Sequence, residues 1–193
     1  MAEDRALKNE QIWILVQKTR KGDREAFMTI TRVYQKKVFL LAYSFFHDRE
    51  DALDVVQETF LRLYQKIHLF RQGRNFQNWL LQIARNICID YYRNHHRRKK
   101  ELEQDRDVEE MNSPLTGQNH SHDAVDLKAI FSRCLKKLSH RQRMIFVMKH
   151  YNQLKYKEIA QILDISTGTV KSLHFKAVRN LRALMAPYLG RSL

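Results

Sequence analysis

Apolar side chains recur at helical spacing along most of the chain. Between residues 23 and 46, Phe27, Ile30, Val33, Tyr34, Val38, Leu41, Ala42 and Phe45 fall mostly three or four apart. Asp23 and Glu25 put negative charge at the start of that run, where the helix dipole favours it, so the spacing predicts a helix over 23–46. A second helix is expected over about 48–67. There Ala52, Val56, Phe60, Leu63 and Ile67 form one stripe, while Asp54, Glu58, Arg62 and Gln65 repeat on the other side. One face is therefore core and the other is free. A third helix starts near Asn75, carries Trp79, Leu80, Ile83, Ile87 and Tyr91 on one stripe, and runs into the basic string from Tyr92 to Lys100.

The C-terminal part divides into four helical segments, about 125–137, 141–150, 156–163 and 167–187. Ser139 followed by Gln142 is spaced as a capping box, each side chain meeting a backbone N–H of the other's position. In the last pair, Ala160 allows two helices to cross closely, Asp164-Ile165-Ser166 supplies a short turn, and Val170 locks the second helix on the first. This is a helix-turn-helix layout. Its second helix, opening at Thr167, is expected to bury Val170, Leu173, Ala177, Leu181 and Leu184. Lys171, Ser172, Phe175, Lys176 and Arg179 are then left outward, suited to the edges and phosphates of a DNA major groove. Asp164 falls where the turn needs a left-handed residue, which Asp adopts more readily than most.

Charge sharpens this picture. The 193 residues carry 35 Lys+Arg against 21 Asp+Glu, a formal net charge of +14, which points to a polyanion or an acidic partner. The excess is not uniform. Residues 1–100 hold 20 basic and 11 acidic side chains, residues 101–125 hold 1 and 7, and residues 126–193 hold 14 and 3. The acidic stretch contains Pro114 and Gly117, lacks apolar periodicity, and reads as a flexible, solvated linker. The expected fold class is thus all-α: two small helical domains, residues 1–100 and 126–193, joined by the linker 101–125. Five Gly and two Pro in the whole chain leave no material for a turn-rich β fold or for a glycine-rich phosphate loop.

Cys88 and Cys134 stand alone inside apolar patterns, which argues for a reducing compartment and against a disulfide or zinc framework. No secretory signal and no run of 18 or more apolar residues is present, so a cytoplasmic location without membrane insertion is expected. Of the nine histidines, His95 and His96 lie in the basic string and His120 and His122 in the linker, without carboxylate or Cys partners at ligand spacing. They are read as solvated; no metal, cofactor or catalytic constellation is expected, and the chain is not an enzyme.

Between the second and third helices, Leu69-Phe70-Arg71-Gln72-Gly73-Arg74-Asn75-Phe76-Gln77-Asn78-Trp79 mixes cations, amides and aromatics. That chemistry suits single-stranded nucleic acid: rings stack unpaired bases, Arg holds phosphates, and amides read base edges. Phe70, Arg71, Arg74, Asn75 and Asn78 are expected to be exposed, whereas Phe76 and Trp79 are either stacking platforms or core.

The order of these parts resembles the extracytoplasmic-function branch of bacterial sigma factors. The residues that carry the resemblance are DVVQETFLRLYQKI, FRQGRNFQNWLLQIARNICIDYYRNHHRRK and KLSHRQRMIFVMKHYNQLKYKEIAQILDISTGTVKSLHFKAVRNLRALM, spanning about residues 10–187. The resemblance implies an RNA polymerase initiation subunit with a region 2 bundle and a region 4 helix-turn-helix. It implies docking on the clamp of the largest polymerase subunit through Asp54, Gln57 and Glu58, with Leu61 and Arg62 on the same helix. It implies capture of a flipped base of the minus-ten promoter element by the loop around Phe70, Arg71, Arg74, Asn75, Phe76, Asn78 and Trp79. Upstream duplex and phosphates would meet Arg85, Asn86, Tyr92, Arg93 and Arg97. The C-terminal domain would sit on the flap of the second large subunit and read the minus-thirty-five element with Thr167, Lys171, Ser172, Phe175, Lys176 and Arg179. Leu173 replaces an Arg usual in the family, so a phosphate contact is lost or the position is buried. Family members are often held by an anti-sigma partner. The competing readings are a stand-alone helix-turn-helix repressor or activator, and a helical adaptor for an acidic protein.

Overall fold

The computed structural model describes residues 9–103 and 127–189, with side-chain surroundings for all of these except 9, 94–103, 128 and 189. Most of the acidic segment 101–125, including His120 and His122, lies outside the described residues, as do the side chains of His95, His96 and Arg97. The first element is one that periodicity does not announce. Helix α1 (Asn9–Arg20) turns only Ile12, Val16 and Thr19 fully inward, too short a stripe to stand out from its polar surroundings.

Helix α2 (Arg24–Phe46) begins where the Asp23 carboxylate accepts a hydrogen bond from the Ala26 N–H at 3.0 Å. It ends at His47, which adopts a left-handed φ of 61° and donates its N–H to the Tyr43 carbonyl. The Asp48 side chain caps α3 (Arg49–Lys66) by accepting from Glu50 and Asp51 N–H. The buried face of α3 is Ala52, Val55, Thr59, Phe60 and Leu63. Val55 and Thr59 thus join the expected stripe, while Val56 is only half-buried. The Thr59 hydroxyl is satisfied by donating to the Val55 carbonyl at 2.6 Å. A 3-10 turn (Ile67–Leu69) and an exposed loop lead into α4 (Phe76–Glu103), which buries Phe76, Leu80, Leu81, Ala84, Ile87 and Cys88. Each such large apolar side chain contributes roughly 1.5–3 kcal/mol on leaving water.

The C-terminal unit holds α5 (Leu127–Lys136), α6 (His140–His150), α7 (Tyr156–Leu163) and α8 (Thr167–Leu189). The expected capping box at Ser139 does not form. Ser139 makes no side-chain cap bond, and the Gln142 amide oxygen instead accepts from Asn180 on α8 at 3.2 Å. The reaching-back carboxylate belongs to the next helix, where Glu158 accepts from the Lys155 N–H at 2.7 Å. Asp164 takes the left-handed turn with φ 56°, and the Ser166 hydroxyl accepts from the Thr169 N–H at 3.0 Å to start α8.

Both expected helical units are present, and they are packed together. Met144, Ile145, Met148, Leu154, Ile159 and Val170 of the second share one buried cluster with Ile30, Tyr34, Phe76 and Leu80 of the first. The seam also carries a buried cation. The Arg143 guanidinium, 5% exposed, donates to Ser44 O of α2 at 2.8 Å and to Lys136 O and Leu138 O at 3.1 Å. Burial pushes it down to about 10, so it stays protonated at neutral pH.

Candidate nucleic-acid interfaces

On α8 the inward positions are Val170, Ala177 and Leu181, with Leu173 and Leu184 half-buried. Leu173 packs against the shared core. Lys171, Ser172, Phe175, Lys176 and Arg179 all lie exposed, Phe175 to 67%, and Thr167 is half-buried at the helix start. Phe175 is therefore a large ring held in water beside three cations and not part of the core packing of α8.

Behind that face is a chain of rings that sequence reading passed over. His150 Nε2 and His174 Nε2 are 2.9 Å apart, and His174 Nδ1 is 3.1 Å from the Tyr156 hydroxyl. Burial lowers both imidazoles from their ordinary value, helped by Lys149 for His150, and by His150 and Lys149 for His174. Two neutral rings satisfy this geometry, because one Nε2 must donate and the other accept. The reading of histidines as solvated concerns His95, His96, His120 and His122, whose side chains lie outside the described residues; His47 and His140 carry ring nitrogens that are buried without a hydrogen-bond partner.

The loop before α4 is built differently. Arg71, Gln72, Gly73, Arg74 and Asn75 are exposed, with Gly73 at φ 83° and Arg74 N–H bonded to Arg71 O at 3.3 Å. A side chain at φ 83° would be strained, which explains glycine at that turn. The expected exposure of Phe70 is corrected: it is 4% exposed, and Phe76 only 1%. They meet edge to face at 5.1 Å, and half-buried Trp79 lies 5.2 Å from Phe70 and 5.9 Å from Phe76. Apolar rings this close gain more from one another than from solvent, so they form the stem of the loop and leave no free face on Phe70 or Phe76 for a base.

The amides at the start of α4 are engaged. Asn75 Oδ1 accepts from the Asn78 N–H at 3.0 Å and caps the helix. Asn75 Nδ2 and Asn78 Nδ2 both donate to Glu158 Oε1 of α7, at 3.0 and 3.2 Å. Along the same seam, Gln82 donates to Gln161 O at 3.3 Å and Arg85 to Leu163 O at 3.1 Å, at the carbonyl-rich end of α7. Between the helices remains a cleft of about 340 Å³ lined by Arg74, Asn75, Asn78, Trp79, Gln82 and Gln161. Farther along α4, Asn86, Tyr92 and Arg93 are exposed.

A third surface runs along α3. Asp54 and Gln57 are exposed, Asp54 accepting from the Tyr91 hydroxyl at 3.3 Å. Glu58 pairs with Arg62 at 2.6 Å, and Arg62 also reaches Asp90 at 3.6 Å. Leu53, Leu61 and Tyr64 stand beside them at 42%, 55% and 50% exposure. Leu53 and Tyr64 were not in the expected set; the Tyr64 ring meets Phe27 of α2 edge to face at 5.1 Å. Their signal was available as apolar residues outside the core stripe, but one isolated apolar residue on a polar face carries little weight in a sequence.

An exposed cationic helix-turn-helix, an amide-and-arginine cleft and a polar-apolar helix stripe, all on helices, define a helical transcription factor with more than one macromolecular contact. The comparisons agree. The Sigma-70 region 2 family matches residues 30–98 and the Sigma-70 region 4 family residues 128–181. The ECF RNA polymerase sigma factor SigW of Bacillus subtilis is 32% identical over 166 residues, covering 81% of this chain and 87% of its own. The ECF RNA polymerase sigma-E factor of Escherichia coli K12 is 30% identical over 184 residues, covering 92% and 96%. The fold is shared with CnrH, solved in complex with the cytosolic domain of CnrY, at a TM-score of 0.65 and 23% identity over 93% of this chain and 99% of that one. It is shared too with the sigma factor RpoE of Bartonella quintana, solved in complex with the anti-sigma factor NepR, at 0.64 and 24% over 83% and 96%. The chain belongs to the ECF RNA polymerase sigma factors.

Proposed function

We propose that this chain docks on core RNA polymerase through α3, reads promoter duplex through α8, and captures an unpaired promoter base at the start of α4. The observation that carries this reading is the outer face of α8, where Lys171, Ser172, Phe175, Lys176 and Arg179 are all exposed while Leu173 turns inward. Such a helix meets the major groove with its first residues near base edges and later cations on phosphates, so Lys171 and Ser172 read and Arg179 anchors.

At α3, Asp54, Gln57, Glu58, Leu61 and Arg62 form the contact with the polymerase clamp, and Leu53 and Tyr64 supply apolar area. At α4, Arg71 and Arg74 hold the single-stranded backbone while Asn75, Asn78 and Trp79 line a cleft of about 340 Å³ for the base. Arg85, Asn86, Tyr92, Arg93 and Arg97 follow the adjacent duplex. Residues 1–100 and 126–193 act as the two promoter-reading domains and 101–125 as their link. To offer their amides to a base, Asn75 and Asn78 must release Glu158, so the seam between α4 and α7 opens when both elements are bound.

The work done is binding. Holding two elements on one polymerase raises the effective concentration of each, and capturing an extruded base offsets the few kcal/mol of its unstacking. No covalent step is assigned to this chain. Its place is the cytoplasm, with the polymerase; among the described residues no helix is long and apolar enough to cross a membrane. A protein partner that covers this chain is also part of the proposal; the fold neighbours RpoE and CnrH were solved in complex with the anti-sigma factor NepR and the cytosolic domain of CnrY.

Run-off transcription with cognate core polymerase on a pool of upstream fragments, at about 0.1 M salt because DNA affinity falls steeply with ionic strength, tests the reading. New transcripts from a shared promoter motif are expected. Shifted duplex without any transcript would replace the sigma reading by a stand-alone repressor.

A further inference from the structure

We infer that Arg20, the last residue of α1, is the positioning residue for the base-capture loop, and that α1 serves as that loop's anchor. The inference rests on the reading of the loop given above. The Arg20 guanidinium donates through Nε and Nη2 to Ile67 O at 3.2 and 3.1 Å, through Nη2 to His68 O at 3.2 Å, and again to Phe70 O. These carbonyls lie where α3 and the 3-10 turn run out, where the dipole is negative; Ile67 O also accepts the Phe70 N–H at 3.2 Å, and Arg20 adds a cation to it and to the His68 and Phe70 carbonyls. One cation meets all three at once.

The same guanidinium lies over the Trp13 ring at 5.2 Å, and Trp13 in turn lies 6.3 Å from Phe70. Phe70 is therefore held from both sides, its carbonyl by Arg20 and its ring between Trp13 and the Phe76–Trp79 pair. At the far end of the loop Phe76 is buried and Asn75 caps α4. The exposed residues 71–75 thus hang between two fixed stems, the first held by Arg20 of α1 and the second by Glu158 of α7 and Tyr34 of α2.

Arg20 is not what keeps α1 in place. Ile12 and Val16, 1% and 0% exposed, do that by burial. What Arg20 adds is order at the loop entrance before a base arrives, and a preordered site binds more tightly and discriminates better than one that must order on binding. Lysine cannot replace it. A single ammonium lacks the planar fork that spans three carbonyls and stacks on Trp13.

The test uses the full chain assembled with core polymerase and compares wild type with Arg20→Lys and Arg20→Gln. Three affinities are measured: for core polymerase, for upstream duplex alone, and for fork-junction DNA whose single-stranded segment carries either the preferred or a substituted minus-ten base. Both variants are expected to keep the first two, to lose about 10-fold on the preferred fork, which is the size of one charge-assisted hydrogen bond, and to bring the preferred-to-substituted ratio toward one. A preserved ratio overturns the inference. So does a parallel loss of all three affinities, which would make Arg20 a general scaffold residue. If wild type itself showed no preference among forks, the fault would lie with the reading of the loop and not with Arg20.

Discussion

On α8, three cations, a hydroxyl and a phenyl ring stand exposed among the described residues, whereas at the start of α4 the amides of Asn75 and Asn78 are turned onto the Glu158 carboxylate. The contrast follows from how each surface is made. A helix with a full apolar stripe fixes its outer face by its inner one, so α8 presents its readers wherever its domain sits. A loop has no such inner face. Its polar groups take the best partner within reach, and the best acceptor within reach is the carboxylate that also caps α7. In this arrangement the outer face of α8 is open and the Asn75 and Asn78 amides are covered, so on the proposed function the two surfaces would answer to different events: one to meeting DNA, the other to separation of the helical units.

The strongest way to break the comparison is to loosen the seam. Arg143→Met removes a buried cation and leaves Ser44, Lys136 and Leu138 carbonyls short of a donor. At 1–3 kcal/mol for a stranded polar group, a loss of about 3 kcal/mol is expected, seen as a fall of about 6–12 °C in melting temperature by circular dichroism. A fall of under about 1 °C would mean that Arg143 contributes neither to the seam at Ser44 nor to the α5–α6 turn at Lys136 and Leu138.

Lys171→Ala addresses the open surface alone. Duplex promoter affinity should drop about 10-fold and the salt slope by about one, while the melting temperature stays put because the side chain is exposed. Glu158→Gln addresses the covered surface. It weakens three charge-assisted bonds to neutral ones, two from the amides and one from the Lys155 N–H that caps α7, so a fluorescent single strand should bind the free chain about 5-fold more tightly, with duplex affinity unchanged. Equal single-strand affinity for the two proteins would show that Glu158 does not compete with the bases.

These experiments also trace what could be read from sequence. The helix-turn-helix was legible because its signals are local: the α8 stripe, the Asp164 turn and the outward cations all lie within about 25 residues. The seam was not. Arg143 and Ser44 are 99 residues apart, and Asn75 and Glu158 are 83 apart, and no periodicity links such pairs. Expecting two tethered units was sound for the elements and silent on their contact, since apolar positions on α6 and α7 look the same whether they pack within a domain or across a seam. Phe70 misled because an aromatic beside Arg71 fits a stacking site and a core equally well; its burial depends on Trp13 and Arg20 in a helix whose own pattern is faint. The Ser139 capping box failed because Gln142 found Asn180 on α8, a tertiary partner no four-residue motif encodes.

The smallest expected effect is a pH slope at the seam. His47 caps α2, facing Tyr43 on its own helix, Lys136 at the end of α5, and His140 and Arg143 of α6. Burial first, then Arg143, Lys136 and His140, push its imidazole down to about 4. Burial, with Arg143 and Arg141, lowers His140 as well. Between pH 4 and 6.5 the unfolded chain holds a proton on His47 that the folded chain does not, so stability rises with pH across that window. The contribution is whole above about pH 6.5 and is lost as pH falls toward 4. His47→Asn keeps a residue that tolerates φ 61° and removes one titration. Melting curves at pH 7 and pH 5 should then separate by less in the variant than in wild type. Equal separations would acquit His47. Because His150 and His174 are also lowered and titrate in both proteins, only the difference between the two pairs of curves isolates the seam from the packing behind α8.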